Sequence, residues 1–358
     1  MTKKAKTIKV TEDGSVINIF RKKECIKISK KHKLYLPDII NLFDFYFSAV
    51  EYSEVDGFKI VDFSTNKPQK VKGYDLHDVM FSSFVEPIET THQYIELANF
   101  NEDSVVLDLG AYSGLSAILF DKEISKNNKD ASGGVIAVDA DMYNTECIEN
   151  NFRLYKEKTG RNIDYLYGAA WGEDGEIQFS NEANMGASAT SIVGKGRGLN
   201  KKVKSYTLST IAKKYNLEKV DFIKCDIEGG EICVFKDAEF FQKYSPRIIV
   251  ESHLCENFSK FTTDIFVSQL NKYGYACREL KQEGFDLPLV ECYPVTTLTE
   301  MFCAINERFD RTDKNIKELL IRLNKPTFFQ KLSCTCKSIV YRLKQRIKGK
   351  KRQYGKRK

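Results

Sequence analysis

The sequence predicts an α/β protein built on an open, doubly wound parallel sheet, and three observations carry the prediction. The stretch Val105-Val-Leu-Asp108-Leu-Gly110-Ala-Tyr-Ser-Gly114 is an apolar run that meets an acid and then glycines. That is how a buried parallel strand enters a tight turn and a helix N-terminus. Later, Asp221-Phe-Ile-Lys-Cys-Asp226-Ile-Glu228-Gly229-Gly230-Glu231 repeats this grammar with more carboxylates. Between and beyond the two, apolar strand-like runs alternate with helical patterns, as in a sheet with right-handed crossovers. Ligands of such sheets sit outside the carboxyl ends of the strands at the switch point, so both segments are expected to line one crevice.

The elements follow in order. Residues 7 to 20 alternate around Glu12-Asp-Gly14, and Phe58 to Phe63 is separated from a later extended stretch by Thr65-Asn-Lys-Pro68; both read as hairpins. Apolar residues at helical spacing fill Pro37 to Val50, and residues 1 to 75 are taken as a small N-terminal accessory region. A helix is expected from Glu86-Pro87 to Phe100, packed beside the crevice as a lid. Parallel strands are expected at 104 to 109, 134 to 139, 163 to 169, 220 to 225 and 246 to 252, closed by an antiparallel pair at 273 to 280 and 300 to 306. The insertion before the fourth strand holds Gly175 to Phe179 and then Asn184-Met-Gly186-Ala-Ser188-Ala-Thr-Ser191, a small-residue loop of the sort that closes over a substrate. The main domain is thus 76 to 306, and residues 307 to 358 form a helical basic tail.

Composition narrows the function. An apolar share of 42% in 358 residues is that of an ordinary globular protein and excludes disorder throughout. The net charge of +7 is concentrated: residues 331 to 358 hold twelve Lys and Arg and no acid. Without them, 44 basic residues face 49 acidic ones, a net charge of −5. A mildly acidic body argues against nucleic acid as the main partner, and the tail argues for one localised electrostatic contact. Within the tail, Leu332, Ile339, Val340, Leu343 and Ile347 recur at three- and four-residue steps among Lys and Arg, a pattern suited either to an anionic membrane surface or to a packed helix with a solvated end. The ten cysteines are scattered; Cys225, Cys277 and Cys303 read as small buried hydrophobes of a reducing cytoplasm, and Cys334 with Cys336 lacks zinc spacing. No window has the length of apolar sequence that a membrane span needs.

Several residues carry candidate chemistry. Gly110 and Gly114 let backbone approach a ligand, and the following helix N-terminus offers unpaired amides to an anion. Any strand-turn-helix can carry glycine, so this motif alone leaves the nucleotide open. Asp139 ends the strand Val135-Ile-Ala-Val138, 25 residues past Gly114, where a carboxylate accepts bonds from both ribose hydroxyls; a plain surface acid or a helix cap is the alternative. Ala169, in Tyr167-Gly-Ala-Ala-Trp171, ends the third strand as an adenine contact or a packing residue. Asp226 is expected to point into the crevice, Glu228 to touch substrate or cofactor, and Glu231 to cap a helix. In Arg247-Ile-Ile-Val-Glu251-Ser-His253 the acid and imidazole share one face. His253 is the first candidate for a general base that takes a hydroxyl proton, with Glu251 orienting it or binding substrate; a satisfied hydrogen-bonding histidine is the plainer reading.

These two motifs, Asp108-Leu-Gly-Ala-x-Ser-Gly and Asp-Phe-Ile-Lys-x-Asp-Ile-Glu-Gly-Gly-Glu, resemble those of the FkbM-type methyltransferase family over about residues 80 to 255. The resemblance implies a class I, Rossmann-like methyltransferase fold, S-adenosylmethionine as cofactor, and hydroxyl groups of sugars, polyketides and related metabolites as acceptors. It places Asp108 at the methionine ammonium, Gly110, Tyr112 and Gly114 around the methionine carboxylate, Asp139 on the ribose, Ala169 on the adenine and Asp226 near the transferable methyl. Two departures stand out. The family's usual Glu-Pro is Asp139-Ala140 here, and the acid that often follows Thr-Leu is replaced by Ser209 after Thr207-Leu208.

The reading is therefore an S-adenosylmethionine-dependent O-methyltransferase acting on a saccharide or glycolipid acceptor, in the cytoplasm and at the inner face of a membrane. Asp226, Glu228, Glu251 and His253 have donor types that suit Mg²⁺, yet no metal is assigned, because in-line positioning of sulfonium and hydroxyl is the chief requirement. An RNA 2′-O-methyltransferase is the first rival, weakened by the acidic body. A cofactor-binding but inactive interaction module is the second, opposed by Asp108, Asp139, Asp226 and His253 all being present.

Overall fold

The computed structural model describes residues 8–86, 88–193, 198–254, 261–280 and 287–295. All of these but Val295 fall in one compact unit, Met1–Pro294. The expected strand at 300 to 306, Cys303 and the basic tail lie outside the described residues.

The chain opens with β1 (Ile8–Asp13), β2 (Val16–Arg21) and β3 (Glu24–Ser29), an antiparallel meander whose first turn is at Gly14. A 3₁₀ turn (Lys30–Tyr35) leads into α1 (Leu36–Asn41) and α2 (Phe43–Ala49), which split the helix expected over 37 to 50. Next come β4 (Ser53–Val55) and β5 (Phe58–Phe63). The hairpin expected across Thr65 to Pro68 is corrected: β5 pairs backward with β4 through Asp56 and Gly57, both at positive φ, and lies parallel to β3. Adjacent positive φ values match the twist of a two-residue hairpin turn, so Asp-Gly closes this one. The five strands order as β1-β2-β3-β5-β4.

After α3 (Ile88–Ala98) the alternation begins: β6 (Val105–Leu109), α4 (Leu115–Ile124), β7 (Gly134–Asp139), α5 (Met142–Thr159), β8 (Asp164–Tyr167). An insertion follows, made of β9 (Ala169–Ala170), β10 (Gly175–Asn181), β11 (Ser188–Ala189), α6 (Thr190–Val193) and β12 (Leu199–Tyr206). These four strands form their own sheet, β11-β10-β12-β9. The main sheet resumes through α7 (Leu208–Lys214), β13 (Phe222–Cys225), α8 (Glu231–Val234), α9 (Ala238–Lys243), β14 (Arg247–Glu251), α10 (Thr263–Lys272), β15 (Tyr275–Leu280) and β16 (Leu289–Pro294).

The main sheet orders as β15-β16-β14-β13-β6-β7-β8, parallel from β14 to β8 and closed by antiparallel β16 and β15. The strand order reverses between β6 and β13, and the crevice belongs at their carboxyl ends. Strand periodicity fills both faces. Val106, Phe222 and Ile249 enter one core, and Leu107, Ile223 and Ile248 enter the other. The N-terminal sheet has its own core, yet Tyr112, Leu115 and Leu119, from the turn after β6 and from α4, are buried in that same cluster. Among the described residues no helix is long and apolar enough to cross a membrane. Six cysteines fall within these residues, all free: Cys225 is fully buried and Cys277 half-buried.

Candidate active site

The turn after β6 is built for close approach. Gly110 has φ +77°, and a Cβ there would lie 1.7 Å from the carbonyl oxygen of Asp226. Only glycine lets the ends of β6 and β13 meet so tightly. The Asp226 amide donates to Leu109 O at 3.1 Å, and Lys224 Nζ donates to Gly110 O at 2.6 Å, so both motifs are tied into one unit. Lys224 is fully buried between Asp108 (3.6 Å) and Asp226 (3.5 Å). Burial works against its charge, but the two carboxylates outweigh it and raise its pKa.

A cleft opens above this junction, floored by Gly110, Asp139 and Asp226 and walled by Ala169, Glu228 and Glu251. Asp139 ends β7 with both oxygens engaged: Oδ2 accepts from the Tyr112 amide at 2.9 Å, and Oδ1 from the Asp141 amide at 2.9 Å and Asn144 Nδ2 at 3.1 Å. Burial, then the neighbouring Asp141, push its pKa up to about 7. Asp141 caps α5 through the Tyr143 amide, and its other oxygen accepts from the amides of Glu182 and Ala183. That pins the insertion over the cleft, where Met185, Ala187 and Ala189 line it together with Trp171.

The remaining wall is acidic. Asp226, Glu228 and Glu251 surround the imidazole of His253, whose Nε2 lies 3.5 Å from Asp226, 3.5 Å from Glu228 and 4.0 Å from Glu251. Its Nδ1 is 3.2 Å from Glu231 Oε1, which also accepts from the amides of Ile227 and Gly229. Burial opposes a charge on the ring, but Glu228, Glu231 and Asp226 prevail and hold its pKa well above the ordinary value. Burial, then Asp226, lift Glu251 to about 8.

Of the residues singled out in the sequence, Gly110, Tyr112, Asp139, Ala169, Asp226 and Glu251 line the cleft together. Three do not. Asp108 has no exposed surface; it accepts from Ser116 Oγ at 2.5 Å beneath the turn, so it orders the turn and does not face a ligand there. Gly114 caps α4 at φ +78°, with a Cβ position 2.6 Å from the Phe152 ring, so it permits packing and not ligand approach. His253 lies behind the acidic wall, 7% exposed, and does not line the cleft, so the ring is not placed where the expected base would meet an acceptor hydroxyl.

The sequence reading also missed part of the cleft. Phe45 and Tyr46, from α2, and Glu86, which precedes α3, line it. Burial, opposed by Lys224, raises Glu86 to about 7. Nothing local marks the aromatic pair, but Glu86 stands just before Pro87 at a helix start, a position that orients a side chain toward whatever the helix abuts.

Comparison with known proteins agrees with this geometry. The sequence model of the methyltransferase FkbM domain matches residues 108–277. Those residues are an FkbM methyltransferase domain. Its match begins at the end of β6 and ends within β15, so it takes in the floor and acidic wall of the cleft but neither α2 nor Glu86. No curated protein matches the chain. Among solved structures, the methyltransferase FkbM from Methylobacillus flagellatus KT is 16% identical, with a TM-score of 0.41 over 58% of this chain and 48% of that one. The chain therefore spans about half the length of that relative. The precorrin-6y C5,15-methyltransferase from Geobacter metallireducens GS-15 is 13% identical, with a TM-score of 0.35 over 59% of this chain and 90% of that one. An RNA methyltransferase from Salinibacter ruber, solved with S-adenosyl-L-homocysteine, is 10% identical, with a TM-score of 0.31 over 60% and 95%.

Proposed function

We propose that the chain transfers the methyl group of S-adenosylmethionine to a hydroxyl of a saccharide. The observation that carries this reading is the acidic wall: Asp226, Glu228 and Glu251 stand side by side at the cleft, beyond the turn that would hold the methionine end of the cofactor. Carboxylates accept hydrogen bonds from hydroxyls and repel phosphates, which favours a polyol acceptor over a nucleic acid. Phe45, Tyr46 and Trp171 add flat apolar surface of the kind on which a sugar ring packs.

In this reading Asp139 accepts from a ribose hydroxyl, Ala169 abuts the adenine, and Gly110 and Tyr112 shape the end of the cleft that takes the methionine part, their own amides being bonded to Val138 O and Asp139 Oδ2. Glu86, not Asp108, then provides the carboxyl nearest the methionine ammonium. During transfer the acceptor oxygen forms its bond to the methyl carbon as the sulfur–methyl bond breaks, the sulfonium becomes a neutral thioether, and the hydroxyl proton passes to water. The protein contributes mainly alignment of oxygen, carbon and sulfur. The basic residues 331 to 358 support an acceptor presented at an anionic membrane surface, such as a glycolipid, with the chain peripheral on the cytoplasmic side.

The test is methyl transfer from radiolabelled S-adenosylmethionine to a panel of oligosaccharides, glycolipids and RNAs. Label appearing in a saccharide-containing acceptor, and alkali-stable as an ether, is the expected result. Label in RNA alone would replace the acceptor class, and no turnover by protein that still binds S-adenosylhomocysteine would favour a binding module.

A further inference from the structure

The arrangement around His253 goes beyond what methyl transfer requires. Its ring is 7% exposed, and Nε2 has no hydrogen-bond partner although it is buried and aimed at the acidic wall. One oxygen each of Asp226 and Glu251 and one ring nitrogen of His253 lie within 4.8 Å of one another. Ligand atoms about 2.0 to 2.2 Å from a common ion are about 3 to 3.5 Å apart, so Nε2 at 3.5 Å from Asp226 and 4.0 Å from Glu251 needs only a small contraction.

The second layer fits as well. Glu231 has no exposed surface and faces Nδ1 at 3.2 Å, and two backbone amides hold that same oxygen in place. A carboxylate that accepts a hydrogen bond from Nδ1–H fixes the tautomer that leaves Nε2 free to bind a metal, the usual partner of a metal-bound histidine. The backbone on the histidine side is fixed too: the His253 amide donates to Thr262 Oγ1 and its carbonyl accepts from the Thr262 amide.

We propose that Asp226, Glu251 and His253 bind one first-row divalent cation, of the Mn²⁺ type, at the acidic wall of the cleft. One imidazole with two carboxylates is a mixed nitrogen and oxygen donor set, which suits such ions better than Mg²⁺ or Ca²⁺, for which all-oxygen sets are the rule. Given the saccharide reading above, on which this last step rests, the cation draws the acceptor hydroxyl as a further ligand and lowers its pKa, the task for which His253 itself is unsuited.

The experiment is a titration of the full chain with Mn²⁺ followed by electron paramagnetic resonance, with no cofactor or acceptor present. One site per chain is expected to suppress the free-ion signal, with nitrogen-14 modulation from the imidazole in the pulsed spectrum of the wild-type protein. Glu251→Gln and His253→Gln are expected to weaken binding at least 30-fold, and Zn²⁺ is expected to displace Mn²⁺ where equimolar Mg²⁺ does not. Absence of binding at millimolar Mn²⁺, binding without nitrogen modulation, or binding unchanged in both variants would overturn the site. Because the pulsed spectrum is read on unmutated protein, misfolding of a variant does not shelter the proposal. S-adenosylhomocysteine binding on the same sample separates loss of the metal site from failure of the methyltransferase reading.

Discussion

Asp139→Asn tests the cofactor assignment most sharply. The side chain already accepts three bonds at 2.9 to 3.1 Å, from Tyr112, Asp141 and Asn144, which leaves about one acceptor site, on Oδ2, for a ligand in the cleft it lines. An amide keeps one acceptor oxygen and turns the other into a donor that opposes a backbone N–H. The charge-assisted bond to a ribose hydroxyl disappears, a loss of up to about 3 kcal/mol. That is up to roughly 100-fold in Kd for S-adenosylhomocysteine. The ligand-free protein responds in the opposite sense. A carboxyl whose pKa rises from 3.8 to about 7 on folding contributes its full stability below the unfolded value and loses it as pH rises through the folded one. Ionising it in place costs about 4 kcal/mol, and the amide avoids that cost. Calorimetric titration and thermal melting at pH 8 are therefore expected to show weaker binding and a higher Tm together. Lowering the pH from 8 to 6 protonates Asp139 and is expected to weaken wild-type binding about tenfold, with no such change in the variant. Affinities within threefold of each other at pH 8 would refute the ribose role, and a lower Tm would refute the burial argument.

Three further outcomes are expected. Gly110→Ala sets a methyl group 1.7 Å from Asp226 O at a positive φ, so denaturant melts should show a loss above about 3 kcal/mol or no folded protein; a loss under 1 kcal/mol would mean the strand ends can separate. Lys224→Met leaves Asp108 buried with Ser116 Oγ but without its cation, a loss of about 3 to 5 kcal/mol, and adding Asp108→Asn should restore part of it in a double-mutant cycle. Tyr112→Phe removes a hydroxyl that donates to Phe84 O at 2.9 Å and meets Ser83, so stability should fall by about 1 kcal/mol while cofactor affinity stays within twofold, because the Tyr112 amide that holds Asp139 is untouched.

Much of the core was legible because its signal is local. Val105 to Leu109, Gly134 to Asp139 and Arg247 to Glu251 are continuous apolar runs that end at turns, and the structure starts and ends these strands within one residue of the expected positions. The floor of the cleft was legible for the same reason, since an acid or glycine closing such a run has only the sheet's carboxyl edge to occupy. Pairing was not. The parallel register of β3 with β5 joins residues over thirty apart, and no periodicity records a partner. Orientation at a strand end was also out of reach. Asp108 and Asp139 each close an apolar run, yet Asp108 turns under the sheet's edge to Ser116 and Lys224 whereas Asp139 faces the cleft. His253 was legible as a candidate, but not its enclosure by carboxylates, because Glu231 and Glu228 approach it from another element.

The burial of Tyr112, Leu115 and Leu119 in the core of the N-terminal sheet has a consequence for how the chain can change. The helices that bring Phe45 and Tyr46 to the cleft rest on the same residues that order the turn beside the cofactor. A graft that replaces residues 8 to 63 to alter acceptor choice would carry a foreign core against that turn, so it must travel with matching residues at 112, 115 and 119. Under the proposed function, the aromatic wall on the acceptor side and the turn on the cofactor side change together or not at all.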